Sequence, residues 1–212
     1  ELRQVLGLDV REAVGTFAAV KPVPISALLR QTLDEGAPIA IATSTEKARS
    51  ELIVAPVLME VRRQCGSRVG LFSGTEFAVD REKGLTGFCD FLLTASSSQM
   101  DLRAPVLAVV EAKNDNIRNG VPQCIAEMHA AAIFNARAGL KKRAIFGAVT
   151  TGSLWTFLAL HETNVVIDLD EYYSASTDRE PPTIEGVQAI PTRQTITLRV
   201  RASDSSGVDR VV

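Results

Sequence analysis

Three charged side chains interrupt two apolar segments of the chain, and their types and spacing suit one kind of chemistry. Asp90 lies inside the apolar run 87–93, and Glu111 and Lys113 end the apolar run 105–113. An isolated buried carboxylate is costly, so Asp90 needs a partner, a proton or a metal. Because residues i and i+2 of a strand point to the same face, Glu111 and Lys113 should project side by side, while Ala112 points away.

These residue types suit hydrolysis of a phosphodiester. Two carboxylates can hold a hard divalent cation through oxygen, and the cation neutralises phosphate charge and lowers the pKa of a bound water. A neighbouring lysine can orient that water, help to deprotonate it, or stabilise the charge that develops on the phosphate. Taken alone, Glu111 and Lys113 near a strand end are more often an ordinary surface ion pair. Asp90 inside an apolar strand favours the functional interpretation.

The elements that must position these residues follow an α/β pattern. Thr43 and Glu46 have the spacing of a capping box, which predicts a helix as far as about Gln64 with a kink or break at Pro56. Strands, a helix and further strands are then predicted over 69–79, 86–94, 105–113, 122–138, 143–149, 153–160 and 164–168. This order predicts a central mixed sheet flanked by helices.

The remaining segments are predicted to extend this core at both ends. Residues 1–42 form an N-terminal extension, helical or mixed, in which Ser26 can cap a short helix that ends near Gly36. Residues 43–173 form the core itself. Residues 174–212 are rich in Ser, Thr, Pro and Asp and form a polar C-terminal extension or tail, although 195–200 alternates like a strand.

The spacing of Asp90 from Glu111-Ala112-Lys113 resembles the D-Xn-(D/E)-X-K signature of the PD-(D/E)XK, or restriction-endonuclease-like, nucleases. The predicted αβββαβ order also resembles that family's core, over residues 43–168, and local segments resemble a set of small uncharacterised members. Cys89 stands where the signature has its nominal proline. The resemblance implies a metal-dependent nuclease that uses Mg²⁺ or Mn²⁺ and acts on nucleic acid, with DNA expected rather than RNA.

The same resemblance implies a role for each residue of the signature. Asp90 and Glu111 would bind the metal together with the carbonyl of Ala112, and Lys113 would serve the attacking water.

Helix residues are also expected at the site. Many members add an acidic residue from the first helix, and Glu51, which borders the apolar run 52–59, fits that role, with Glu60 as the alternative. Members related to exonucleases and resolvases often carry a glutamine on the helix after the E-X-K strand, which Gln123 matches. Glu127 lies one turn further along that face and is expected outside the ligand set or exposed.

Composition and charge limit the alternatives. The 212 residues are 46% hydrophobic and 23% charged, which excludes a disordered chain, and no apolar run reaches the ~18 residues of a membrane span. The three cysteines lack metal-ligand spacing and indicate reduced thiols in a cytoplasmic protein. The net charge of −2 gives no general attraction to nucleic acid, so a basic patch or a metal must bridge to phosphates.

Two further expectations concern partners and function. Edge strands and the acidic net charge indicate a homodimer or a partner protein. The alternative function is a non-catalytic nucleic-acid- or protein-binding module on the same fold, which the intact set of Asp, Glu and Lys disfavours.

Overall fold

The computed structural model describes residues 5–21, 23–140, 143–174, 199–201 and 210–211. Its helices are α1 (Ala27–Thr43), α2 (Glu46–Arg49), α3 (Ala55–Gln64) and α4 (Ile117–Arg137), with a π-helical turn at Ser50–Val54 and a 3-10 turn at Gly66–Arg68. Its strands are β1 (Asp9–Ala13), β2 (Gly70–Glu76), β3 (Phe88–Thr94), β4 (Val106–Ala112), β5 (Ile145–Thr150), β6 (Leu154–His161), β7 (Asn164–Asp168), β8 (Glu171–Tyr173), β9 (Arg199–Arg201) and β10 (Arg210–Val211).

The strands of the described residues form one mixed sheet in the order β10-β9-β8-β6-β5-β4-β3-β2, which β7 and β1 extend beside β6. Strands β2, β3 and β4 are antiparallel neighbours. Helix α4 then crosses the sheet and returns the chain to β5, which runs parallel to β4. The prediction of an α/β protein with a mixed sheet is therefore confirmed. The element order helix, three strands, helix, strand is also present.

Strand β4 is covered on both faces, as its continuous apolar sequence predicts. Val109 belongs to a core cluster that includes Met128 of α4. Val110, on the opposite face, belongs to a second cluster that includes Val54 and Leu58 from the other helical segment. The site residues at the end of β4 thus lie between two packed layers.

Helix α1 starts as predicted but ends later. The side chain of Ser26 accepts a hydrogen bond from Leu29 N at 3.2 Å and caps the helix. The predicted end near Gly36 is wrong, because α1 continues to Thr43. A Cβ added at Gly36 would lie 2.9 Å from the Leu52 carbonyl oxygen. This glycine therefore allows close packing of α1 against the π-helical turn and does not terminate the helix.

Helices α2 and α4 also begin at residues other than those predicted. Thr45, not Thr43, caps α2 through a hydrogen bond from Ala48 N at 3.2 Å, because Thr43 is still part of α1. Pro56 stands in the first turn of α3, directly after the π-helical turn. Helix α4 is capped by Asn116 and runs through Pro122 instead of starting there.

The two extensions contribute strands that the sequence only partly indicates. Strand β1 pairs in parallel with β7, and buried Asp168 and Asp170 accept hydrogen bonds from Phe17 N at 3.2 Å and Gly15 N at 3.0 Å. Strand β9 pairs with β8 and overlaps the end of the predicted strand 195–200. The rest of the predicted tail lies mostly outside the described residues. None of the helices in the described ranges combines the length and apolar character that crossing a bilayer requires.

Candidate functional site

Strands β3 and β4 place Asp90 and Glu111 next to each other. Phe91 pairs with Val110, so continuing this register by one residue puts Asp90 opposite Glu111. At this point Ala112 N donates to Asp90 Oδ2 at 2.8 Å. The Asp90 carboxylate is thereby fixed at the end of the neighbouring strand. Glu111 is only 1% exposed.

Lys113 lies on the same side as Glu111, as alternation along an extended chain predicts. Its Nζ is 2.5 Å from Glu111 Oε1, and its side chain is 19% exposed. Its backbone N donates to Thr150 O at 2.8 Å, which ties the residue to the end of β5. A Cβ added at Gly120 of α4 would lie 3.1 Å from Cγ and Cε of Lys113. The absence of a side chain at Gly120 therefore makes room for the lysine stem.

Helix α4 brings a third carboxylate, Glu127, to this pair. Charge–charge repulsion from Glu127 and from Asp90 contributes to the raised pKa of Glu111, which places the three groups close together. Gln123 Nε2 donates to Glu127 Oε1 at 3.2 Å. Oε2 of Glu127 and Oε2 of Glu111 are both buried and have no hydrogen-bond partner. These two oxygens thus lack a nitrogen or hydroxyl donor, although the Cys89 thiol interacts with the Glu127 carboxylate and helps to lower its pKa.

Burial and mutual repulsion change the protonation of the acids. Burial, with smaller contributions from Glu127 and Asp90, raises the pKa of Glu111 to about 8 against the hydrogen bond from Lys113. Burial and the charge of Asp90 raise the pKa of Glu127 to about 7, although Gln123 opposes this. Both carboxyl groups therefore hold their protons more tightly than ordinary glutamates do, because burial and the neighbouring acids disfavour the charged forms.

The pKa of Lys113 moves in the opposite sense from what burial alone would cause. Burial is the largest influence and lowers it, but the hydrogen bond and charge of Glu111, with the charges of Glu46 and Asp90, outweigh burial and raise the pKa. Lys113 is consequently protonated at neutral pH. A protonated lysine has no lone pair and can only donate hydrogen bonds.

The structure does not bring Glu51 to this cluster. Its side chain is 59% exposed, and its Oε1 forms an ion pair with Lys47 Nζ at 2.8 Å. The acid of this helical segment whose charge acts on Lys113 is Glu46. Arg49 Nη1 donates to Thr151 O, and Ile53 packs against Gly152, so the face that carries these two residues meets the β5–β6 turn. Glu51 lies off that face.

Glu60, the alternative acid, has a structural role instead. Its oxygens accept hydrogen bonds from Ser26 N at 3.0 Å, Ser26 Oγ at 2.8 Å and Gln64 Nε2 at 2.9 Å. Arg63 also forms an ion pair with it. This buried carboxylate links α3 to the start of α1, and both of its oxygens accept hydrogen bonds there.

Glu127 is the residue that sequence reasoning placed outside the site. It follows Gln123 by one helical turn, and this spacing was the available signal that both face the same way. Its burial could not be read from the sequence, because α4 is rich in alanine and shows no sharp boundary between apolar and polar faces.

The donor set for a metal ion is small. Within the described ranges, no three or more His, Cys, Asp or Glu side chains are arranged so that they could together hold a metal ion. Asp90 and Glu111 therefore stand as a pair of carboxylates, and the role of the Ala112 carbonyl as a further oxygen donor stays a prediction. Comparisons with models of protein families, with curated proteins and with solved structures gave no match to this chain.

Proposed function

We propose that this chain is a metal-dependent nuclease of the PD-(D/E)XK type, which hydrolyses phosphodiester bonds in nucleic acid, with DNA as the expected substrate. The observation that carries the proposal is the buried Glu111 carboxylate, which sits beside Asp90 and Lys113 and has an unpartnered oxygen. The connection from α3 through β2, β3 and β4 to α4 and β5 supports it, because it has the αβββαβ order that the resemblance implies.

The residues fit a hard divalent cation such as Mg²⁺ or Mn²⁺. Unpartnered buried oxygens on Glu111 and Glu127 are costly, and an oxygen-seeking cation would satisfy them. Asp90, Glu111 and the Ala112 carbonyl would hold it, and Glu127 is a further acid whose charge acts on Glu111. When bound, such an ion neutralises phosphate charge and promotes ionisation of the attacking water.

The side chains around the cation would have separate roles. Lys113 is protonated, so it donates a hydrogen bond and stabilises negative charge on the phosphate instead of removing a proton from water. Asp90 is held by the Ala112 N–H, which fixes the position of its carboxylate at the end of β4. Gln123 donates to Glu127 and orients that carboxylate. Burial of Glu111 excludes water from its side of the site and strengthens each of these interactions.

A cleavage assay tests the proposal. The protein is incubated with supercoiled plasmid, with labelled single-stranded DNA and with labelled RNA, in Mn²⁺, in Mg²⁺ and in chelator. We expect metal-dependent cleavage of DNA. Glu111→Gln is the matched control, since it should be inactive and so distinguishes the chain's activity from that of a contaminant. Equal cleavage by both proteins would contradict the proposal.

The non-catalytic binding module on the same fold is the second candidate. The observation that favours it is that no three metal-binding side chains are grouped among the described residues. If the wild-type protein binds labelled DNA but cleaves none of the substrates in either metal, this second function replaces the nuclease.

A further inference from the structure

Arg49 lies against the same turn that fixes Lys113. Its Nη1 donates to Thr151 O at 3.0 Å, and the preceding Thr150 O accepts the backbone N–H of Lys113 at 2.8 Å. Glu46, one helical turn before Arg49, acts electrostatically on Lys113. The guanidinium is therefore hydrogen-bonded to the residue that directly follows the one holding the Lys113 backbone.

Within the part of the chain that the structure describes, Arg49 forms no ion pair with an acid. No Asp or Glu among the described residues lies within ion-pair distance of it, although ion pairs are present elsewhere in the same helical segment. Arg49 is half-buried, and its Nε is buried without a hydrogen-bond partner. A guanidinium keeps its charge in a protein, so a half-buried one that lacks an ion-pair partner is suited to bind an anion.

The geometry of the guanidinium indicates which anion. Its fork of N–H groups matches two oxygens of a phosphate, and one arm is already held by Thr151 O. Resting on the proposed function, we propose that Arg49 binds a backbone phosphate of the nucleic acid, next to the phosphate that is cleaved. Arg49 then supplies a local positive charge that the net charge of −2 does not.

Binding of a fluorescein-labelled oligonucleotide, followed by anisotropy in Ca²⁺ over a series of salt concentrations, tests this role. Methionine keeps the aliphatic stem of the side chain and removes its charge. We expect Arg49→Met to weaken binding ~10-fold, as for a lost charged hydrogen bond. We expect the slope of log K against log salt for a duplex to fall by about one, the loss of one phosphate contact. Arg49→Lys should keep the slope and lose part of the affinity.

Arg62→Met is the matched control, because Arg62 is also half-buried with a buried, unpartnered Nε but lies near the far end of α3. It should change neither affinity nor slope. Thermal melting of each variant checks folding. If Arg49 only tethers the helix to the turn, Arg49→Met lowers the melting midpoint and leaves the slope unchanged, which overturns the inference. Absence of oligonucleotide binding by the wild type overturns it as well.

Failure of this inference can be told apart from failure of the nuclease proposal. If the wild-type protein binds the oligonucleotide without cleaving it, and Arg49→Met reduces the salt slope, the nuclease proposal fails and the Arg49 contact stands. If the wild-type protein cleaves and Arg49→Met leaves the salt slope unchanged, the nuclease proposal stands and the Arg49 contact fails.

Discussion

At the scale of single residues, the proposed function assigns Lys113 a part in catalysis that is separate from metal binding. It is protonated and paired with Glu111, so it would oppose a bound cation slightly and would act only where negative charge develops. An interaction made only in the transition state lowers the barrier without changing ground-state binding. We expect Lys113→Met to keep the Mn²⁺-induced rise in melting midpoint and to lose cleavage by ~10²-fold or more in single-turnover assays. Wild-type cleavage by Lys113→Met would remove the lysine from the mechanism.

Substitutions of Glu127 and Glu51 are expected to have different effects on metal binding, although both residues are glutamates in helical segments. Glu127 has a buried unpartnered oxygen beside Glu111, whereas Glu51 is exposed and paired with Lys47. We expect Glu127→Gln to reduce the Mn²⁺-induced shift in melting midpoint, because glutamine is neutral and a weaker oxygen donor for a hard cation. Glu51→Gln is the control and should leave the shift unchanged. The reverse pair of results would return Glu51 to the metal site.

At the scale of elements, the site depends on how closely α4 approaches β5. A Cβ at Gly120 would lie 2.6 Å from Val149 Cγ1 and 3.1 Å from two carbons of Lys113. Gly120→Ala should therefore destabilise the protein by about 1–3 kcal/mol, as overpacking does, and displace the lysine. Urea unfolding measures the first effect, and cleavage under conditions where the variant is folded measures the second.

Gly87→Ala provides the comparison for Gly120→Ala, since a Cβ there meets no atom within 4 Å. It should leave stability nearly unchanged. Equal destabilisation by the two substitutions would show that the approach of α4 to β5 is not what Gly120 provides.

The strands could be predicted from the sequence because buried strands consist largely of consecutive apolar residues. Strands β3 to β7 fall within or close to the predicted ranges. Helix boundaries were harder to predict. Gly36 and Pro122 are residues typical of helix termini, but both lie inside helices here because tertiary packing overrides that preference. Strand β1 was missed because its sequence, Asp9–Ala13, has little apolar character and depends on pairing with β7.

The candidate site was predictable where strand alternation applies. Asp90, Glu111 and Lys113 come together because the sequence period of a strand is fixed at two. The role of Glu51 stays a prediction, since the structure places this residue in the π-helical turn Ser50–Val54, where its side chain is exposed and paired with Lys47. Glu46 and Arg49 precede this turn: the charge of Glu46 acts on Lys113, and Arg49 donates to Thr151 O. Glu51 lies within the turn and is exposed to solvent.

At the scale of the whole molecule, the site joins the two core layers. Glu127 comes from α4 on one face of the sheet, and Arg49 comes from the helical segment whose continuation packs against the other face. The strand ends between them carry Asp90 and Glu111. A cation at this point would link both layers, so it should stabilise the fold by mass action as well as serve chemistry.

The pH dependence of stability follows from the same convergence of acids. Without metal, burial and the neighbouring acids raise the pKa of Glu111 from its ordinary 4.5 to about 8. The folded protein then holds this proton more tightly than the unfolded chain does. The resulting stabilisation is fully present below the ordinary pKa and is lost as pH rises through 8.

Thermal melting in chelator should therefore show a midpoint that falls between about pH 5 and about pH 8.5. The fall should be smaller in Glu111→Gln, which has no proton to lose at this position. Added Mn²⁺ should raise the midpoint more at the alkaline end than at the acid end, because the cation competes with the proton for the same oxygens. Identical pH profiles for the two proteins would mean that Glu111 does not carry the buried charge. A pH-independent Mn²⁺ effect would place the ion elsewhere on the chain.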